Sequence, residues 1–494
     1  MATRILPGSF LLSLCSSLFL MNSASVAAQV LPFRASDFQP TLVNDVHAAG
    51  AEGTWNFAGY GSVFEVGNWK DDVNVYNQAR DLCWRDPLAS GGEANNLIAY
   101  YAHSRGRSDT AFANTPDGNQ FHVEPIRSVP PRCLFPANRT TPLYIFDAIA
   151  SSFVDFYPYS VERHVDWAAR RALLRPRAAA ARTDQDLKAI LVEFMQGLED
   201  PHAGINGVAG GEAFEIGSKA GKPTFRRLRA DFAQQSQYTD FFEWLVEWQA
   251  ADDEKVFAKL KPSTRSRALN GAVMWGVLDG NVGYVSIGRM MGFEAGASIE
   301  RERELVGQTM DRVLRELRHT DALVLDIATN LGGYAQVASD IASRFADRRR
   351  LAYTTHAPGA RRVAPQPFYT IPAGQSRYLK PVLLLTSDMT VSAGEKLTLL
   401  MSVLPNVVQV GQATQGALSG GLGKGLPNGW EFGMPNEVTR DDQGQLYEVT
   451  GIRPAFEFKV YRADSFGEGR VRAVLRAAGL ACGDSSGFDS SAGW

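Results

Sequence analysis

Three side chains in this 494-residue chain have the types and settings that acyl transfer requires. Ser392 opens Ser392-Ala-Gly-Glu395, just after the apolar run Val382-Leu-Leu-Leu-Thr386 and at the head of a helix marked by Leu397, Leu400, Met401 and Leu404. A hydroxyl there meets unpaired N–H groups and the positive end of the helix dipole, which stabilise an alkoxide or a bound anion. Ser-x-x-Glu is equally the spacing of a capping box, so Ser392 and Glu395 also read as a plain helix start. A serine needs a base to take its proton. His202, in Gly197-Leu-Glu-Asp-Pro-His-Ala-Gly204, is the candidate, set against a structural role at a helix end. Glu448, in Gln445-Leu-Tyr-Glu-Val-Thr-Gly-Ile-Arg-Pro454, is placed to orient the imidazole or is simply a charged strand residue. Gly332 and Gly333 close Ala328-Thr-Asn-Leu-Gly-Gly333; paired glycines at a strand-to-helix turn leave main-chain N–H groups uncovered for an oxyanion, or make only a tight turn.

These residues need a scaffold, and the apolar pattern provides one. Asn281-Val-Gly-Tyr-Val-Ser-Ile287, Ala322-Leu-Val-Leu-Asp-Ile327, Val382 to Thr386 and Val407-Val-Gln-Val410 read as strands covered on both faces. Between them, Leu305, Val306, Met310, Val313, Leu314 and Leu317 mark one helix, and Val337, Ile341 and Phe345 a second. Alternating strands and helices predict an α/β core with a mostly parallel sheet, over residues 273–475, with a C-terminal tail at 476–494. In such sheets ligands sit at the carboxyl ends of the strands, where Ser392 and the glycines fall. Residues 142–272 read as a helical segment carrying His202, with Leu187, Ile190, Leu191, Phe194, Met195 and Leu198 on one helix face. The stretch from Gly204 to Ala272 is read as helical too. Residues 29–141, rich in aromatics, Gly, Asn and Pro, predict a small β-rich domain. Gly420-Gly-Leu-Gly-Lys-Gly425 fails the phosphate-loop spacing and reads as a mobile loop.

Composition narrows the partners. Fifty basic residues against 53 acidic ones give a formal charge of −3, with no basic field for nucleic acid. Arg4, the apolar run Phe10 to Met21 and Val26-Ala-Ala28 read as a signal peptide over residues 1–28, which predicts export to the periplasm or beyond and no membrane span in the remaining chain. In an oxidising compartment Cys83 and Cys133, both in the N-terminal region, are the expected disulfide and Cys482 the odd thiol; three buried thiols are the alternative. Seven scattered histidines, with no His-x-x-x-His and no Cys-x-x-Cys, predict no metal site.

In this order the motifs resemble the tail-specific, or carboxyl-terminal processing, serine peptidases, a family that includes the tricorn core. The resemblance runs from about Phe146 to Arg462: Leu198-Glu-Asp-Pro-His202, Val282-Gly-Tyr-Val285, Asp326-Ile-Ala-Thr-Asn-Leu-Gly-Gly333, Ser392-Ala-Gly-Glu395 and Glu448-Val-Thr-Gly-Ile-Arg-Pro454. It implies a ClpP/crotonase-like α/β core, a peptide or protein substrate and no cofactor. It implies Ser392 as nucleophile, His202 as general base, Glu448 as orienting group, and an oxyanion hole from the N–H groups of Ala393 and of Gly332 or Gly333. Three departures stand out. Ala417 replaces the lysine many members use, which points to the histidine-using branch and leaves Lys424 as a remote substitute. Pro201 and Ala203 flank His202 where the tricorn-like tetrad has a serine. Ala328 replaces the arginine of the glycine motif, and no PDZ-like segment is visible. The competing reading is a peptide-binding protein of weak or no activity on the same fold.

Overall fold

The computed structural model describes residues 30–104, 109–134, 139–217, 221–461 and 466–481; the expected signal peptide and Cys482 lie outside them. From Gln39 to Ile126 the chain forms an eight-stranded antiparallel sheet. Cys83 and Cys133, 50 residues apart, are joined by a disulfide beside Val63 and Tyr76. A helical layer follows: α1 (Pro142–Phe156), α2 (Trp167–Ala180) and α3 (Asp184–Phe194). Leu187, Ile190, Leu191 and Phe194 of α3 are buried against Phe146 and Phe153 of α1.

After α3 the structure departs from the helical reading. Gly204 to Gly217 is a hairpin, β1 (Gly204–Ala209) and β2 (Glu212–Gly217). Only then come α4 (Pro223–Phe232) and α5 (Phe241–Phe257). The central sheet contains β3 (Ser266–Ala268), β4 (Val273–Val277), β5 (Val282–Ile287), β6 (Ala322–Asp326), β7 (Val382–Thr386) and β8 (Val407–Gly411). Its first three strands are antiparallel; from β5 onward it is parallel, closed by β11 (Phe456–Glu457). Strand alternation explains why both faces are dry. Val285, Ile287, Leu323, Leu325 and Leu384 pack with α6 (Ile299–Glu316), α7 (Ala335–Ser343) and α8 (Ala393–Ser402). Tyr284, Val324, Leu383 and Leu385 face the other way, onto α5 and α9 (Gly469–Ala481). The last described helix therefore crosses the expected boundary at residue 475 and belongs to the core. Its Arg470, fully buried, donates to Asp326 (2.9 Å), Asp253 (2.5 Å) and Ser286 (2.7 Å).

The glycine-rich stretch is not a loop. Gly421 to Gly425 is strand β9, paired with β10 (Glu431–Pro435), and β10 pairs with β1 of the hairpin. Sequence could not show this, since glycines carry no side-chain alternation and the partner strands supply the ladder. The N-terminal domain grips β9: Trp84 Nε1 donates to the Gly425 carbonyl (2.7 Å), and Asp86 accepts the Gly425 N–H (2.9 Å). Among the described residues no helix is long and apolar enough to cross a membrane.

Candidate active site

Ser392 ends the turn after β7 and caps α8 with φ 57° and ψ −119°. A non-glycine residue pays roughly 1–3 kcal/mol for such a backbone and keeps it only where the surroundings dictate it. Much of the restraint is Glu395. Its fully buried carboxylate accepts Thr414 Oγ1 (2.6 Å) and the Gly416 N–H (2.7 Å) on Oε1, and the N–H groups of Ala417 (2.8 Å) and Ser392 (3.3 Å) on Oε2. Burial raises the pKa of Glu395 and these hydrogen bonds oppose the rise. Glu395 is thus a clamp between the serine turn and the loop of residues 414–417. The Ser392 N–H also donates to the Ala417 carbonyl at 3.2 Å.

The glycine turn lies against this elbow. A Cβ on Gly332 would stand 2.8 Å from the Ser392 Cβ and 3.2 Å from the Ala393 nitrogen, so only glycine allows the approach. Gly332 and Gly333 have φ of 92° and 131°. Asn330 holds the turn: its Oδ1 accepts the Gly332 N–H (2.8 Å), its Nδ2 donates to the Ile287 carbonyl (2.8 Å), and its own carbonyl accepts the Val391 N–H (3.1 Å). The Gly332 N–H is therefore spent. The N–H groups of Gly333 and Ala393 have no acceptor among the described hydrogen bonds.

His202 and Ser392 line one cavity of about 410 Å³, together with Leu331, Val391, Gln415 and residues of the hairpin and α4. Asp200 Oδ1 accepts the His202 backbone N–H at 3.0 Å and so shapes the loop after α3. The ring is half-buried; its Nδ1 is fully enclosed and has no hydrogen-bond partner. Burial lowers the imidazole pKa; the Asp200 carboxylate opposes this, while Arg163 and Lys396 add to the lowering.

Glu448 does not hydrogen-bond the ring. Its Oε1 accepts Arg163 Nη2 (2.8 Å) and its Oε2 the Leu418 N–H (2.9 Å). Burial raises its pKa, as does the Asp200 carboxylate, against the pull of Arg163. Arg163, which sequence reasoning did not single out, joins the parts. Its Nε lies 3.1 Å from Asp200 Oδ2, Nη1 donates to the Glu199 carbonyl, and Nη2 reaches Glu448 and the Gly416 carbonyl. No local pattern marks it, because every partner is distant in the chain.

Among the described residues two lysines are buried, and both are engaged by other groups. Lys424 Nζ donates to the carbonyls of Tyr60 (2.9 Å) and Gly61 (2.8 Å) and to Asn77 Oδ1 (3.0 Å), at the junction with the N-terminal domain and outside the serine cavity. That removes its standing as a substitute base. Lys396 Nζ donates to Thr439 Oγ1 and stacks over Tyr353. Among the described residues no group of three or more His, Cys, Asp or Glu side chains is arranged to hold a metal ion.

Residues 281–458, which hold the central sheet from β5 onward, Ser392 and Glu448, match the model of peptidase family S41. The fold is shared with a putative peptidase from Parabacteroides merdae ATCC 43184 at 20% identity and a TM-score of 0.52, covering 71% of this chain and 100% of that one. It is shared also with a mutant of CPAF at 12% identity and a TM-score of 0.50, covering 70% of this chain and 98% of that one. The matched family is one of peptidases, and the match supports a hydrolase of peptide bonds for this core.

Proposed function

We propose that the protein is an exported serine peptidase that forms an acyl-enzyme on Ser392 with His202 as general base. The observation that carries this reading is the strained Ser392 elbow facing the same cavity as His202. With Nδ1 enclosed, the half-buried ring offers its other nitrogen, Nε2, to the cavity. His202 takes the Ser392 proton as Oγ attacks the substrate carbonyl, then returns it to the leaving amine; water, activated the same way, releases the acyl group. The Gly333 and Ala393 N–H groups receive the oxyanion, roughly 3 kcal/mol for each donor. Glu448 acts on His202 indirectly, by fixing Arg163 and, through it, the Asp200 turn. The signal-peptide pattern and the Cys83–Cys133 disulfide support an oxidising compartment.

The test is digestion of a mixed peptide library by the purified chain beside Ser392→Ala, with cuts read by mass spectrometry. Cleavage lost in the variant is the expected result. Equal cleavage by both, or none by either, would instead favour a peptide-binding protein on this fold.

A further inference from the structure

The cavity that holds Ser392 and His202 is lined by both apolar and charged side chains. Phe225, Phe242, Leu331 and Val391 are its apolar lining residues, and Arg229 of α4 lines the same cavity. The other arginines of this helix are engaged: Arg226 donates to the Gly221 carbonyl and lies 4.0 Å from Glu199, and Arg227 pairs with Asp231 at 2.9 Å. Arg229 makes no ion pair within 4.0 Å and no hydrogen bond among the described contacts; its guanidinium is stacked 4.3 Å from the Phe241 ring centroid. Glu215 also borders the cavity and acts electrostatically on Arg229, but it is exposed and makes no ion pair with it within 4.0 Å. A guanidinium held flat on an aromatic ring keeps its fork of N–H donors fixed and free, and that fork matches a carboxylate.

We propose that Arg229 is a specificity-determining residue that binds a carboxylate of the peptide substrate, next to an apolar subsite formed by Phe225, Phe242, Leu331 and Val391. This rests on the peptidase reading above. The carboxylate has two sources, an acidic side chain near the cut or the free chain end, and the apolar subsite takes the neighbouring side chain.

The experiment uses the full chain and synthetic peptides built on one cleaved sequence. One series places Glu or Gln at each position around the cut with an amidated end; a second compares the free carboxylate with the amide. The wild type should favour one carboxylate-bearing peptide at least about tenfold in kcat/KM, the scale of a charged hydrogen bond. Preference in the first series names a side chain, and preference in the second names the chain end. Arg229→Gln should bring the ratio to about one, and Arg229→Glu should turn it towards a Lys-bearing peptide, a reversal that mere loss of packing does not produce. Indifference of the wild type to carboxylates, or an unchanged ratio in Arg229→Gln, overturns the proposal while leaving the peptidase intact. Absence of any cleavage by the wild type removes the peptidase reading, and the proposal with it.

Discussion

A histidine that accepts a proton works only while neutral, so the pH at which it protonates sets the acid edge of activity. Burial holds His202 below the ordinary imidazole range. The neutral form therefore persists as pH falls through 6.5, and the acid limb of kcat/KM for peptide hydrolysis should lie below that value. A limb at or above 6.5 would remove His202 as the group it reports. His202→Ala should cost about 10⁴-fold or more in kcat with unchanged circular dichroism. Ser392, His202 and the paired glycines were legible because each sits where a strand or helix signal ends. The division of labour among them was not. Nothing in Asn330-Leu-Gly-Gly333 says that Asn330 Oδ1 consumes the first glycine N–H, and nothing near Glu448 says that its carboxylate is already held by Arg163. Those facts depend on side chains that meet only after folding.

The loop before α2, the loop after α3 and the segment after β10 are cross-linked by one side chain. Arg163 reaches Glu199, Gly416 and Glu448, which lie 36, 253 and 285 residues along the chain. Removing it leaves the Asp200 and Glu448 carboxylates buried without their cation, which typically costs about 3–5 kcal/mol. Arg163→Met should lose that much in urea unfolding and should lower kcat more than it changes KM, because the His202 loop is what slackens. Arg163→Lys should recover part of both. An unchanged kcat in folded Arg163→Met would show that the clamp is purely structural. At this scale the sequence was uneven. Continuous apolar strands such as Val382 to Thr386 and the stripe of α6 stand out because burial on one or two faces writes itself into the pattern. The hairpin from Gly204 to Gly217 does not, since its glycines and single apolar residues blur the period of two, and β9 is a strand only by virtue of its neighbours.

Across the whole molecule, the N-terminal domain and the core meet through polar contacts that are buried and specific. Tyr60 Oη donates to Glu437 Oε1 at 2.8 Å, Asn119 to Oε2 at 2.7 Å, and Lys424 crosses the junction to Tyr60, Gly61 and Asn77. Burial lowers the Lys424 pKa to about 7. In the unfolded chain lysine titrates near 10.4. The folded state thus binds fewer protons between these values, and this group makes stability rise with pH over that window. Comparison of wild type with Lys424→Met should show a shallower rise between pH 7 and 10 in the variant. The variant should also be less stable by about 1–3 kcal/mol, from carbonyls left unpaired. Equal slopes would mean that Lys424 is not buried at the junction as described. A different contact reaches the glycine turn from far along the chain. Arg470, on the last described helix, is the cation for Asp326, and the other Asp326 oxygen holds the Ala328 N–H at the root of the glycine turn. Tyr284 Oη also donates to Asp326, at 2.8 Å, but Arg470 supplies the positive charge at this carboxylate. The glycine turn beside Ser392 thus depends for its charge balance on a helix that lies 144 residues beyond Asp326 along the chain.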